Sequence, residues 1–124
     1  MMTMGVKVFI DTNILIRAFH EPMDLHAETK ALVERLWDDT AELWISRQVL
    51  REYLVQVTHP NTFVQPLPLD QILMQTQNIL SLFQIAENSA EVTMQLLALL
   101  KTYPTHGKQI HDANIVATML THGI

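Results

Sequence analysis

The sequence predicts an α/β fold, a three-layer α/β/α sandwich around a mostly parallel sheet. Three observations predict it. Short apolar runs rich in β-branched residues alternate with segments of helical apolar spacing. The order reads β-α-α-β-α-α-β-α-α, which suits a sheet covered by helices. The first run, VKVFI (Val6 to Ile10), breaks off abruptly at Asp11, as a buried parallel strand does at its carboxyl end.

The elements follow in order. After the strand, TNILIRAF has helical spacing at Ile14, Leu15 and Ala18, and Pro22 punctuates it. Asp24 is placed to cap a second helix to about Asp38, with Leu25, Leu32, Val33, Leu36 and Trp37 as its inner stripe. ELWIS, Glu42 to Ser46, is the second strand. Ser46 can cap RQVLREYLVQV, whose buried stripe is Val49, Leu50, Tyr53, Leu54 and Val57. Pro60, Pro66 and Pro68 mark a loop, and Asp70 caps the next helix, which ends before a brief third strand in FQIAE. Asn88 with Glu91 reads as a capping box for a helix to about Thr102. Pro104 and Gly107 reset the chain, and HDANIVATMLT is helical with Gly123 as its stop. There is no repeat or linker, so residues 1–124 read as a single domain.

Composition excludes much chemistry. The 124 residues contain no cysteine, which removes thiol nucleophiles, disulfides, Fe–S clusters and Cys-type zinc sites, and fits a cytoplasmic protein. Three glycines cannot write a phosphate-cradling loop. No apolar run approaches the ~18 residues of a membrane span, and the stretch before Lys7 is too short for a signal peptide. A net charge of −5 argues against polyanion binding through a generally basic surface. It leaves nucleic acid open as a substrate, because carboxylates holding divalent cations reverse the local charge.

Three acids stand where an α/β fold places its chemistry, beyond the carboxyl ends of the strands. Asp11 follows the first strand, Glu52 lies off the apolar stripe of the helix after the second, and Asp112 opens the last helix. Each has a bland reading: Asp11 and Asp112 as caps, Glu52 as a solvated helix residue. Gathered together, three carboxylates would repel and need a cation. All-oxygen donors select Mg²⁺ or Mn²⁺ over zinc, and the six histidines show no helical i, i+4 pair. Thr12 and Asn13 can hold the Asp11 carboxylate or simply shape the turn. Arg17, Arg47, Arg51, Lys108 and His111 could meet an RNA backbone or be ordinary surface groups.

FIDTNIL, a glutamate on the helix after the second strand, and GKQIHDANIVATMLTHGI together resemble the PIN-domain family over about Val6 to Ile124. The resemblance implies a metal-dependent endoribonuclease, with Asp11, Glu52 and Asp112 as metal ligands directly or through water. It also implies a VapC-type toxin of a toxin–antitoxin pair, with RNA as substrate, an antitoxin as partner, and a homodimer as assembly. Family members continue past the HGI position into a strand beside the first and a fourth acidic position. Here the sequence ends at Ile124 with no Asp or Glu after Asp112, so the expectation is a shortened form or a natural degenerate copy whose last strand is missing. A first strand left bare on one flank should then make the domain unstable or aggregation-prone alone, or complete its sheet through a second copy or a partner. The alternative is a PIN-like binding module that keeps the fold and has lost catalysis.

Two other α/β readings fail on particular positions. A phosphoacceptor receiver needs an acidic pair near the first strand and a later lysine, which are not found. A haloacid-dehalogenase-like phosphatase needs a second aspartate two residues after the first, where Asn13 stands.

Overall fold

A computed structural model of the chain describes residues 5–124; residues 1–4, within the stretch before Lys7 weighed above as a signal peptide, lie outside the described residues. The elements are β1 (Lys7–Phe9), α1 (Thr12–Phe19), α2 (His26–Asp38), β2 (Glu42–Ser46), α3 (Arg47–Thr58), α4 (Leu69–Leu82), β3 (Gln84–Ala86), α5 (Ala90–Thr102) and α6 (Gln109–His122). This is the expected order, arranged as a parallel sheet flanked by helices.

The strands pair in the order β1-β2-β3. Val8 sits opposite Leu43 and Ile45 opposite Ile85. Each parallel step needs a crossover, and the two helices between successive strands supply it. β2 is central and the most deeply buried: Leu43 is 2% and Ile45 0% exposed. Burying such a side chain contributes roughly 1.5–3 kcal/mol, so the middle strand anchors the core.

β1 departs from the fully buried strand that its apolar run suggests. Lys7, Val8 and Phe9 are each half-buried, and among the described residues β1 pairs with β2 alone. The backbone bonds Glu42 N to Val6 O and Ile10 N to Trp44 O, both 2.9 Å, extend the pairing at each end on that one flank. Lys7 guards the strand: its Nζ lies 5.1 Å from the Trp44 ring centroid and donates to the His122 carbonyl at 3.2 Å. A lysine on an edge strand discourages further pairing.

Capping chemistry is confirmed at Ser46, whose Oγ accepts from Val49 N at 3.1 Å, and at Gly123, which takes the left-handed φ of 68° past α6. It is corrected at three other helices. Leu25, with φ 61°, precedes α2 in place of Asp24, and neither Leu25 nor Leu32 is buried. The Leu25 backbone makes a turn that a side-chain cap does not. Pro68 starts α4, leaving Asp70 inside the first turn, where its charge meets the helix dipole. Ser89, not Asn88, caps α5, its Oγ accepting from Val92 N at 3.5 Å.

The core gathers Leu15 and Ile16 of α1, Val33 of α2, the inner face of α3, and Ile72 and Ile79 of α4. Within it, Tyr53 and His20 are buried and share a hydrogen bond of 2.6 Å between Oη and Nε2. Burial, reinforced by nearby His26, lowers the His20 pKa below the ordinary 6.5, while burial raises the Tyr53 phenol. Protonation of His20 is therefore easier in the unfolded chain than in the fold. Stability is fully present above pH 6.5 and falls as pH drops below it, by at most about 1.4 kcal/mol per pH unit for one proton. Chemical denaturation between pH 7.5 and 5 should show this decline. Tyr53→Phe should cost about 1–3 kcal/mol at pH 7.5, because it strands a buried imidazole nitrogen.

Candidate active site

Because the strands are parallel, their carboxyl ends share one edge, and the chain delivers its acids there. β1 runs through Ile10 into Asp11. The Asp11 backbone is extended at φ −82°, ψ 173°, and its Oδ1 accepts from Ile14 N at 3.0 Å. Asp11 is thus the cap of α1 as well as a strand-end acid. The two readings coexist, since capping engages one carboxylate oxygen and the residue stays exposed.

Glu52 comes from α3. The stripe Val49, Tyr53 and Val57 is 0–2% exposed and fixes the rotation of that helix. Gln48, Glu52 and Gln56, each one residue earlier, form a neighbouring stripe about 100° around. Glu52 is half-buried and held at both oxygens. Buried Thr12 Oγ1 donates to Oε2 at 2.7 Å, and Gln48 Nε2 donates to Oε1 at 3.1 Å. Gln48 is braced in turn from α6: its Oε1 accepts from Asn114 Nδ2 at 3.5 Å, and its Nε2 also donates to the His111 carbonyl at 3.5 Å. The Thr12 hydroxyl therefore engages Glu52, a partner that the sequence, which left Thr12 between shaping the turn and holding Asp11, did not indicate.

Asp112 lies exposed in the first turn of α6, at the positive end of the helix dipole. Asp11, Asn13, Glu52 and Asp112 line one open cavity of about 380 Å³, with Thr12 and Gln56. No lysine or arginine lines it, and the ion pairs found among the described residues, Lys30–Glu34 and Arg47–Glu87, leave all three acids out. The acids share a cavity without forming a closed cage: among the described residues no three His, Cys, Asp or Glu side chains are grouped so as to hold one ion.

The cationic candidates separate. Arg51 and His111 line a second, larger cavity that shares Glu52 and Gln56 with the first. Arg47 points to Glu87, donating from Nε at 3.0 Å, and this contact raises its pKa. Arg17 and Lys108 line neither cavity.

The PIN domain family model matches residues 8–124. The chain belongs to the PIN domain family. Among solved structures, it is similar to the VapC20 toxin of Mycobacterium tuberculosis, a sarcin–ricin loop cleaving toxin. The TM-score is 0.65 at 18% identity, over 94% of this chain and 83% of that one. At that identity the likeness is one of fold. No curated protein sequence matches the chain.

In this PIN domain, sequence reasoning did not single out Gln48, Gln56 or Asn114. The signal was present, because Gln48 and Gln56 flank Glu52 at i−4 and i+4 and so share its helix face. The double role of Asp11 predicts a separation of effects. Asp11→Asn keeps a good cap and should leave stability within about 0.5 kcal/mol, whereas Asp11→Ala should lose about 1 kcal/mol. Urea melts of the two variants check this.

Proposed function

We propose that this PIN domain is a metal-dependent endoribonuclease that hydrolyses RNA phosphodiester bonds and serves as the toxin of a toxin–antitoxin pair. The observation that carries the reading is the convergence of Asp11, Glu52 and Asp112, from three separate elements, on one cavity lined by no basic side chain. Carboxylates so placed in a PIN domain suit Mg²⁺ or Mn²⁺, which take oxygen donors. The open arrangement fits an ion bound through one or two carboxylates and several waters, the habit of Mg²⁺. Asp11 would contribute the oxygen that capping leaves free, with Asp112 and Glu52 as the other donors. A divalent ion bound there supplies charge neutralisation at the phosphate and a more nucleophilic water.

The chain's own groups do the positioning. Thr12 and Gln48 fix the Glu52 carboxylate in one orientation, so no side-chain reorganisation is needed when substrate arrives. Arg51, one residue before Glu52, is the cation best placed to meet the RNA backbone. Among the described residues no helix is long and apolar enough to cross a membrane. We place the activity in the cytoplasm, where RNA and an antitoxin would be met.

A second reading, a binding module that retains RNA or partner binding without catalysis, is favoured by the lack of a closed carboxylate cage among the described residues. One experiment separates the two. With Mn²⁺ the protein should cleave RNA, EDTA should stop it, and Asp11→Asn, Glu52→Gln and Asp112→Asn should each abolish cleavage. RNA binding without cleavage under every metal would select the module. Independently of cleavage, Mn²⁺ at a hundred times its Kd should stabilise the fold by about 2.7 kcal/mol, and Asp11→Asn should erase much of that shift.

Assembly is the remaining part of the proposal. The α5–α6 hairpin carries exposed Met94, Leu97, Val116 and Leu120, an apolar surface suited to a second copy. Light scattering should give a dimer mass, and Leu97→Glu combined with Leu120→Glu should reduce it to that of a monomer.

A further inference from the structure

We propose that the larger cavity beside the acids is a pocket for an unpaired nucleobase flanking the scissile phosphate. The inference rests on the nuclease reading above and deepens it by naming what the site reads. The cavity measures about 620 Å³, within the ~300–1,000 Å³ range of small-molecule sites. It shares Glu52 and Gln56 with the acid cavity, so a strand lying across the acids passes directly into it.

Its lining has the chemistry of base recognition. Val55, Leu96 and Ile110 offer apolar surface to a ring face. Four amide side chains, Gln48, Gln56, Asn88 and Asn114, stand around that surface, each carrying both a donor and an acceptor. Base edges present mixed donor and acceptor patterns, and Asn or Gln matches adenine in bidentate fashion. A pocket for phosphate alone would gather several cations, whereas here Arg51 is the one lysine or arginine in the lining.

The amides divide into two pairs. Gln48 and Asn114 are committed to bracing Glu52. Asn88 and Gln56 make no side-chain hydrogen bond among the described residues and are free to pair with a ligand. Asn88 owes this freedom to Ser89, which takes over the cap of α5. Single-stranded RNA offers just such splayed, unstacked bases.

The test uses the full chain and two variants, Asn88→Ala and the isosteric Asn88→Asp. Asn88 is exposed and outside the acid cavity, so both should fold. A randomised RNA pool cut in Mn²⁺ should show a base preference at one position flanking the cut for the wild type, with adenine favoured. That preference should fall about tenfold in both variants, at the scale of one bidentate pair. In parallel, the four nucleoside monophosphates are titrated into metal-free protein and amide resonances are followed by NMR. Shifts centred on Asn88, Leu96 and Ile110, weakened by the substitutions, support the pocket. Cleavage whose base preference is unchanged in both variants overturns the pocket and leaves the nuclease standing. Shifts at the pocket without cleavage under any metal overturn the nuclease and support the pocket. Neither shifts nor cleavage overturns both.

Discussion

The rotation of α3 is the constraint on which the rest of the site depends. Ser46 closes the central strand and caps the helix in one step, so the two are joined without slack. Val49, Tyr53 and Val57 are then driven into the core. Successive residues on a helix turn by about 100°, so burial of one stripe determines where the preceding stripe points. Gln48, Glu52 and Gln56 are that stripe, and Glu52 and Gln56 form the wall common to both cavities. A slip of one residue would send Glu52 toward the core and Tyr53 toward solvent, at the cost of a buried aromatic and its bond to His20. The core thus enforces the position of a carboxylate that contributes nothing to the core itself.

Around that wall, the polar contacts follow a consistent division of labour. Donors come from neutral groups, the Thr12 hydroxyl and the Gln48 amide, which orient Glu52 without cancelling its charge. An arginine in either place would pair with the carboxylate and satisfy it permanently. The nearest such pairing, Arg47 with Glu87, lies outside both cavities, and the mutual hydrogen bond raises the Arg47 pKa while lowering that of Glu87. The acids at the sheet edge are left with their charge available to an external cation. Like charges gathered in one cavity repel, and under the proposed function a bound cation would relieve that repulsion.

The element order was fully legible in the sequence, because strand runs and helical spacing differ in period and the prolines fall between them. Asp11 and Asp112 were legible by position, at a strand end and a helix start. Glu52 was legible only as a polar residue off an apolar stripe. What escaped was set by backbone geometry or by contacts distant in sequence. The left-handed Leu25 has no sequence signature, since a leucine is unfavourable there. The half-exposure of β1 is a property of its neighbours, not of VKVFI, which reads as buried on any local rule. The bond from Thr12 to Glu52 spans 40 residues and cannot be read from the turn that contains Thr12.

The shift of one residue at the start of α5 shows how local chemistry reaches the site. Asn88, Ser89 and Glu91 offer two competing caps, and both Asn and Ser are good ones. With Asn88 as cap, its side chain would be spent on the helix backbone. The Ser89 cap places Asn88 outside the helix, in the link from β3 at the carboxyl edge of the sheet. Its amide is then directed by the strand end and not by the helix. The two other strands show the same rule: β1 delivers Asp11 at its end, and β2 delivers Ser46 and, nearly two turns on, Glu52. All three strands therefore send a polar group to one edge, and the choice of cap decides whether the third of those groups is free to meet a ligand.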